Sequence, residues 1–240
     1  MVRQRIWERL APVARPDTRF HFDFSEFIPD FEGSETLAAC LLDHRTLSSA
    51  RMVFVTPDNS LVAVRQKLLE AGRPFVVSSY NMLRGFLLLD PAKVPTGHAH
   101  YAAWLDGIEH FGRPVSLEDI SGLGPFGAMV TGASAVSTDG IRFGKGHGYF
   151  DIEWGIFSDL GLVQETTPVI AAVHDVQVVA DRLPASDTEI MVDLIATPTR
   201  MIDVERARKR PRGVNWDLLS PETIASRPPL RELARMRGIQ

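Results

Sequence analysis

The stretch Ile141-Arg142-Phe143-Gly144-Lys145-Gly146-His147-Gly148-Tyr149-Phe150-Asp151 carries three glycines at alternate positions, two cations at or before them and a carboxylate after. Small residues let backbone approach a ligand closely, cations neutralise phosphate, and an acid can hold a divalent ion. The combination predicts a phosphate-binding loop. It is not a Walker A loop, because Gly140 to Lys145 is one residue short of that spacing and Gly146 stands where Ser or Thr would bind magnesium. Its G-x-G-x-G spacing also differs from the G-x-G-x-x-G dinucleotide fingerprint. On spacing alone, a glycine turn joining a strand to a helix remains an equal reading.

Outward from the loop, strand and helix patterns alternate. Helical spacing covers residues 2–11, the segment opened by Gly33-Ser34-Glu35, Leu61 to Glu70, Ala99 to His110 and Tyr149 to Leu160. Short β-branched or aromatic runs at Met52–Val55, Phe75–Val77, Phe86–Leu89, Gly127–Thr131, Val169–Val173, Val176–Val179 and Met191–Ala196 predict strands, with Arg200–Val204 as an edge hairpin partner. Such alternation predicts a mainly parallel sheet covered by helices on both faces, a three-layer α/β/α sandwich. One domain over residues 1–204 is expected, followed by an extended arm, 205–240, marked by Pro211, Pro221, Pro228 and Pro229 and carrying a small terminal helix near Leu230 to Met236.

The glycine stretch resembles the G-R-G-x-G-Y-Y-D loop of the 5-formyltetrahydrofolate cyclo-ligase (methenyltetrahydrofolate synthetase) family, including the arginine two residues before its first glycine. Arg51-Met-Val-Phe-Val-Thr-Pro resembles that family's first strand, Ala71-Gly72-Arg73-Pro74 a helix-to-strand turn, and Leu183-Pro184-Ala185-Ser186-Asp187 a shortened late element. Arg3-Gln4-Arg5-Ile6-Trp7 and the tail Arg210-Pro211-Arg212-Gly213-Val214-Asn215-Trp216 are more similar to a paralogous branch. The resemblance implies a cyclo-ligase or NagB-RpiA-CoA-transferase-like fold, ATP and Mg2+, and a reduced folate or related formylated heterocycle as small-molecule substrate.

By the same resemblance, Arg142, Lys145 and Tyr149 would serve the chemistry. Gly144, Lys145, Gly146, His147 and Gly148 would line the nucleotide with Arg3 and Arg84, while Asp151 and Asp187 would hold the metal. Departures are equally specific. Phe150 replaces a tyrosine, Lys145 an arginine, His110-Phe111-Gly112-Arg113-Pro114 lacks the family's glutamate, and the lysine that precedes the arginine matched by Arg3 has no counterpart. They keep two alternatives open: a paralog that binds phosphate or nucleotide without folate turnover, of a kind linked to thiamine metabolism, and a non-enzymatic RNA or partner-binding module.

Charge narrows the classes. The chain carries 26 Lys and Arg against 30 Asp and Glu, yet nine of the basic and only four of the acidic residues lie from Glu205 onward. An acidic body argues against a general nucleic-acid binder. The basic arm is expected to wrap that body or a neighbouring subunit of a homo-oligomer. No apolar run approaches the roughly 20 residues that span a bilayer, so a cytoplasmic protein is expected. Cys40 is the single cysteine, read as a small buried residue, and excludes a disulfide framework or thiolate zinc site.

Overall fold

The computed structural model describes residues 2–17, 19–180, 183–184 and 186–239. In chain order its strands are β1 (Val53–Val55), β2 (Phe75–Ser78), β3 (Phe86–Leu89), β4 (Arg113–Val115), β5 (Ala128–Thr131), β6 (Ala135–Ser137), β7 (Arg142–Phe143), β8 (Val169–Ala172), β9 (Val178–Val179), β10 (Leu194–Ala196) and β11 (Met201–Asp203). Its helices are α1 (Val2–Leu10), α2 (Ser34–Asp43), α3 (Arg45–Ser48), α4 (Val62–Glu70), α5 (Ala99–Ala103), α6 (Leu105–Phe111), α7 (Leu117–Leu123), α8 (Tyr149–Asp159), α9 (Pro221–Ser226) and α10 (Pro228–Arg237).

Eight strands form the main sheet in the order β11-β10-β8-β5-β1-β2-β3-β4. The five central strands, β10 to β2, pair in parallel. β3, β4 and β11 add antiparallel edges. Alternation along each strand feeds both faces: Val53 and Val55 of β1 enter one apolar cluster with Leu37 and Leu41 of α2 and Val64 and Leu68 of α4. Phe54, between them, enters the other with Trp154 and Phe157 of α8 and Leu230 and Leu233 of α10. A sheet buried on both faces needs near-continuous apolar strands, which these runs supply. The sandwich expected from the alternation is the fold found.

Local departures have local causes. Between β5 and the glycine loop the chain inserts the β6–β7 hairpin, which joins β9 in a small three-stranded sheet, so the loop follows an edge strand of that sheet and not the core strand β5. The single helix expected over 99–110 is two, broken at Trp104, whose extended backbone caps α6. At Gly107 a Cβ would lie 1.6 Å from the Tyr101 carbonyl oxygen, so only glycine permits the second helix to fold back so closely. Cys40 is exposed, because α2 buries Leu37, Ala38 and Leu41 instead.

Residues beyond 204 pack against the sandwich over much of their length. The terminal helix expected near Leu230 to Met236 is found as α10, with Pro228 and Pro229 in its first turn, where a missing N–H costs nothing. Leu230 and Leu233 are buried against the α8 side of the sheet. Arg210 is buried too, donating to the Met191 and Thr167 carbonyls at 2.9 Å each, ion-paired with Asp193 and stacked 4.9 Å from the Trp154 ring. Among the described residues, no helix is long and apolar enough to cross a membrane.

Candidate active site

The strand order reverses between β1 and β5: the chain passes from β1 through α4 to β2 on one side, and later enters β5 on the other. In parallel sheets, ligands bind beyond the carboxyl ends of the strands at such a switch. A cavity of about 300 Å3 opens there, lined by Thr56 to Asn59 after β1, Ser78 and Tyr80 at and beyond the end of β2, Thr131 of β5, and the glycine loop with the first turn of α8.

A buried cation shapes the β1 side. Arg65 of α4 is fully buried and donates to the carbonyls of Thr56 at 2.7 Å, Asp58 at 2.9 Å and Ala103 at 2.9 Å. Desolvation lowers its pKa to about 9, and three carbonyl acceptors compensate a charge that would otherwise be costly to bury. They fix the turn carrying Asp58, whose Oδ2 accepts from the Thr56 hydroxyl at 2.5 Å and the Gly132 N–H at 3.2 Å.

The opposite rim is the glycine loop. Gly146 has φ +112, a backbone conformation that side chains resist, and a Cβ there would meet nothing nearer than the Arg3 guanidinium at 3.8 Å. Gly148 precedes α8 without a side-chain cap, which leaves first-turn N–H groups available to an anion. Arg3 of α1 donates from Nε to the Gly144 carbonyl at 3.0 Å. Lys145 donates to the Glu26 carbonyl at 2.8 Å and lies 4.7 Å over the Tyr80 ring; desolvation lowers its pKa. Arg142 is buried beneath the loop, 3.3 Å from the Gly132 carbonyl and 4.7 Å from the centre of the Phe150 ring. That stacking gives Phe150 a packing role in which a hydroxyl has no part.

Acids gather on the inner side. Asp151 Oδ1 accepts from the Ile190 N–H at 3.0 Å and lies 3.9 Å from Arg142. Burial raises its pKa, and raises that of Glu189, where the Asp151 charge adds to the effect. Glu153 lies deeper: it is 2 % exposed, accepts from the Ser78 hydroxyl at 2.5 Å, and is pushed by desolvation to a pKa of about 8. An aromatic wall lines the same cavity, with Phe20 stacked on Phe27 at 4.9 Å and tilted against Tyr80 at 5.4 Å.

Of the residues singled out from sequence, Arg3, Arg142, Gly144, Lys145, Gly146, His147, Gly148, Tyr149 and Asp151 all line the cavity. Two others are not brought to it. Asp187 carries a fully exposed carboxylate paired with Arg208 at 3.1 Å, so it does not share a site with Asp151; Glu189, two residues on, lines the cavity instead. The late element also contains Ala185, outside the described residues. Arg84 is 73 % exposed and pairs with Glu109 at 2.5 Å, drawn off by an acid on α6. Among the described residues no three His, Cys, Asp or Glu side chains converge as a metal site.

Sequence reasoning missed Asp58, Ser78, Glu153 and the aromatic wall, which come from separate segments with no shared motif. It also missed Arg227, which donates to the Tyr149 hydroxyl at 2.8 Å and stacks on that ring. The one available signal was Thr56-Pro57-Asp58 directly after a strand, a place where parallel sheets present functional groups.

Comparison with known proteins agrees with this geometry. The 5-formyltetrahydrofolate cyclo-ligase family matches residues 1–198. Methenyltetrahydrofolate synthase domain-containing proteins of Mus musculus and Homo sapiens are 33% and 30% identical, each over 97% of this chain. The chain spans about three fifths of their length, 62% and 60%. Among solved structures, 5,10-methenyltetrahydrofolate synthetase of Aquifex aeolicus aligns with a TM-score of 0.51 over 90% of this chain and 100% of its own, at 17% identity, a likeness of fold alone. With the motif, the sandwich and a family match covering most of its length, the chain belongs to the 5-formyltetrahydrofolate cyclo-ligase family.

Proposed function

We propose that the cavity binds ATP with Mg2+ beside a reduced folate or related formylated heterocycle, and that the chain catalyses ATP-driven ring closure of the formyl group. The observation that carries this reading is the meeting, at one switch point, of an uncapped helix N-terminus, an open glycine loop and the cations Lys145 and Arg142. Polyphosphate suits such a rim because N–H dipoles and cations act together on the same oxygens. Asp151 with Glu189 suits a magnesium ion, which ordinarily takes only one or two protein carboxylates and completes its shell with phosphate and water. Burial, the main cause of the raised pKa of both acids, is a cost that a bound cation would offset.

In the proposed reaction the formyl oxygen takes the terminal phosphoryl group and ADP leaves. The neighbouring amine then attacks the activated carbon, loses its proton, and phosphate departs as the ring closes. Such chemistry asks for positioning and charge neutralisation more than for a strong base. Lys145 and Arg142 neutralise the transferring charge. Tyr149, its hydroxyl engaged by Arg227, borders the reacting centre. Incubation with 5-formyltetrahydrofolate, ATP and magnesium should generate the methenyl chromophore in the near ultraviolet, and Asp151→Asn should abolish it. Nucleotide binding without product would instead support the second reading, phosphate or nucleotide binding without folate turnover. The Phe150 and Arg113 departures favour that reading.

A further inference from the structure

One buried carboxyl group of the cavity is unexplained by nucleotide binding. Glu153 lines the cavity and is 2 % exposed; its Oε1 is held by Ser78, while its Oε2 is buried with no hydrogen-bond partner among the described residues. A carboxyl group serving structure alone normally has both oxygens engaged. Asp193 shows the pattern in this same protein, with Oδ1 on Arg206 at 2.7 Å and Oδ2 on the Val169 N–H at 2.7 Å. The nearby cations do not bond to Glu153, since Arg142 donates to the Gly132 carbonyl and Lys145 to the Glu26 carbonyl. An orphaned buried oxygen is destabilising, and a ligand that bonds to it removes that penalty.

We propose that Glu153 is a specificity-determining residue of this cavity: with Oε1 fixed by Ser78, its free Oε2 hydrogen-bonds the polar edge of a planar nitrogen heterocycle lying along the Phe20, Phe27 and Tyr80 rings. The stacked and tilted rings form an apolar wall that suits a flat π system. The same cavity is lined by the aromatic rings and Glu153 on one side and the glycine loop on the other, so the heterocycle takes the floor and phosphates take the rim. A site that leaves a buried polar atom unpaired rejects analogues lacking the matching group, and such discrimination is stronger than a purely apolar floor provides.

The inference rests on the reading above for the class of ligand. Its test is binding, not turnover: calorimetry with 5-formyltetrahydrofolate and with the bare ring 2-amino-4-oxopteridine, on wild type, Glu153→Leu, Glu153→Gln and Ser78→Ala. Glu153→Leu should weaken both heterocycles about tenfold or more, the loss of one buried hydrogen bond. Glu153→Gln, which still offers a polar atom, should stay within about threefold, and Ser78→Ala should fall between. ATP titrated into the same samples reports whether the cavity is intact. Heterocycle affinity in Glu153→Leu equal to wild type overturns the inference, as does wild-type protein that binds neither heterocycle. If Glu153→Leu fails to fold, unchanged affinity in Ser78→Ala overturns it. Absence of ATP binding in wild type sinks the nucleotide reading instead and leaves the heterocycle comparison to decide this one.

Discussion

The rim and the floor of one cavity are built on opposite principles. The rim is a contiguous run of residues whose backbone is exposed to the ligand and whose cations reach in from the side. The floor is assembled from β2, α8 and the turn after β1, and its carboxyl group is almost wholly buried, 2 % exposed. At the rim the cations Lys145 and Arg142, though partly or largely buried, keep their charge beside an open loop; at the floor charge is suppressed, with Glu153 held largely neutral at pH 7 by a pKa of about 8. The difference teaches that a phosphate site can be made by leaving backbone unpaired at a surface, whereas recognition of a neutral ring needs a polar atom removed from water.

The largest effect that would break this contrast is alkaline stability. Glu153 has a folded pKa of about 8 against 4.5 for the free side chain, so the folded state holds the proton more tightly. Stability is therefore full below about pH 4.5 and declines as pH rises through 8. Glu153→Gln should remove that decline and make the protein more stable than wild type at pH 9 by on the order of 3–5 kcal/mol, read by urea unfolding at several pH values. Identical pH profiles would show that the floor is solvated after all. Next comes Gly146→Val, where a β-branched residue cannot hold φ +112 and would crowd the anion; nucleotide affinity should drop about 100-fold, with the melting temperature lowered by only a few degrees. Lys145→Ala should cost about 1.5–3 kcal/mol of nucleotide affinity in calorimetry, the value of a charge-assisted contact. Smallest is Arg84→Ala, which should alter neither nucleotide nor heterocycle affinity and should change stability by less than about 0.5 kcal/mol, since its ion pair with Glu109 is exposed.

Legibility in the sequence follows the same division. The rim could be read because Gly144 to Asp151 is one continuous stretch and its chemistry is local. The parallel core could be read because strands buried on both faces are apolar runs, as Phe75–Val77 and Val169–Val173 are. The floor could not: Ser78 and Glu153 are 75 residues apart, and nothing in either neighbourhood marks a hydroxyl and a carboxyl that meet only after the sheet forms. Asp187 was misplaced for a related reason, because alignment to a shortened element locates a residue along the chain and leaves its side-chain direction open, and here Arg208 takes it. The terminal helix near Leu230 to Met236 could be read as well, because proline breaks a helix interior yet favours a helix start, and Pro228 and Pro229 sit in the first turn of α10.

Trp154, Leu230 and Arg210 give the region beyond the shared family stretch a consequence for dissecting the protein. A fragment ending near residue 198 would lose the antiparallel edge strand β11, uncover Leu230's and Leu233's seat on the sheet, and leave Asp193 without Arg206 and Arg210. It would present a raw strand edge and an oily patch on one molecule, the two ingredients of self-association. The stretch matched by the family is thus shorter than the unit that can be expected to stay in solution.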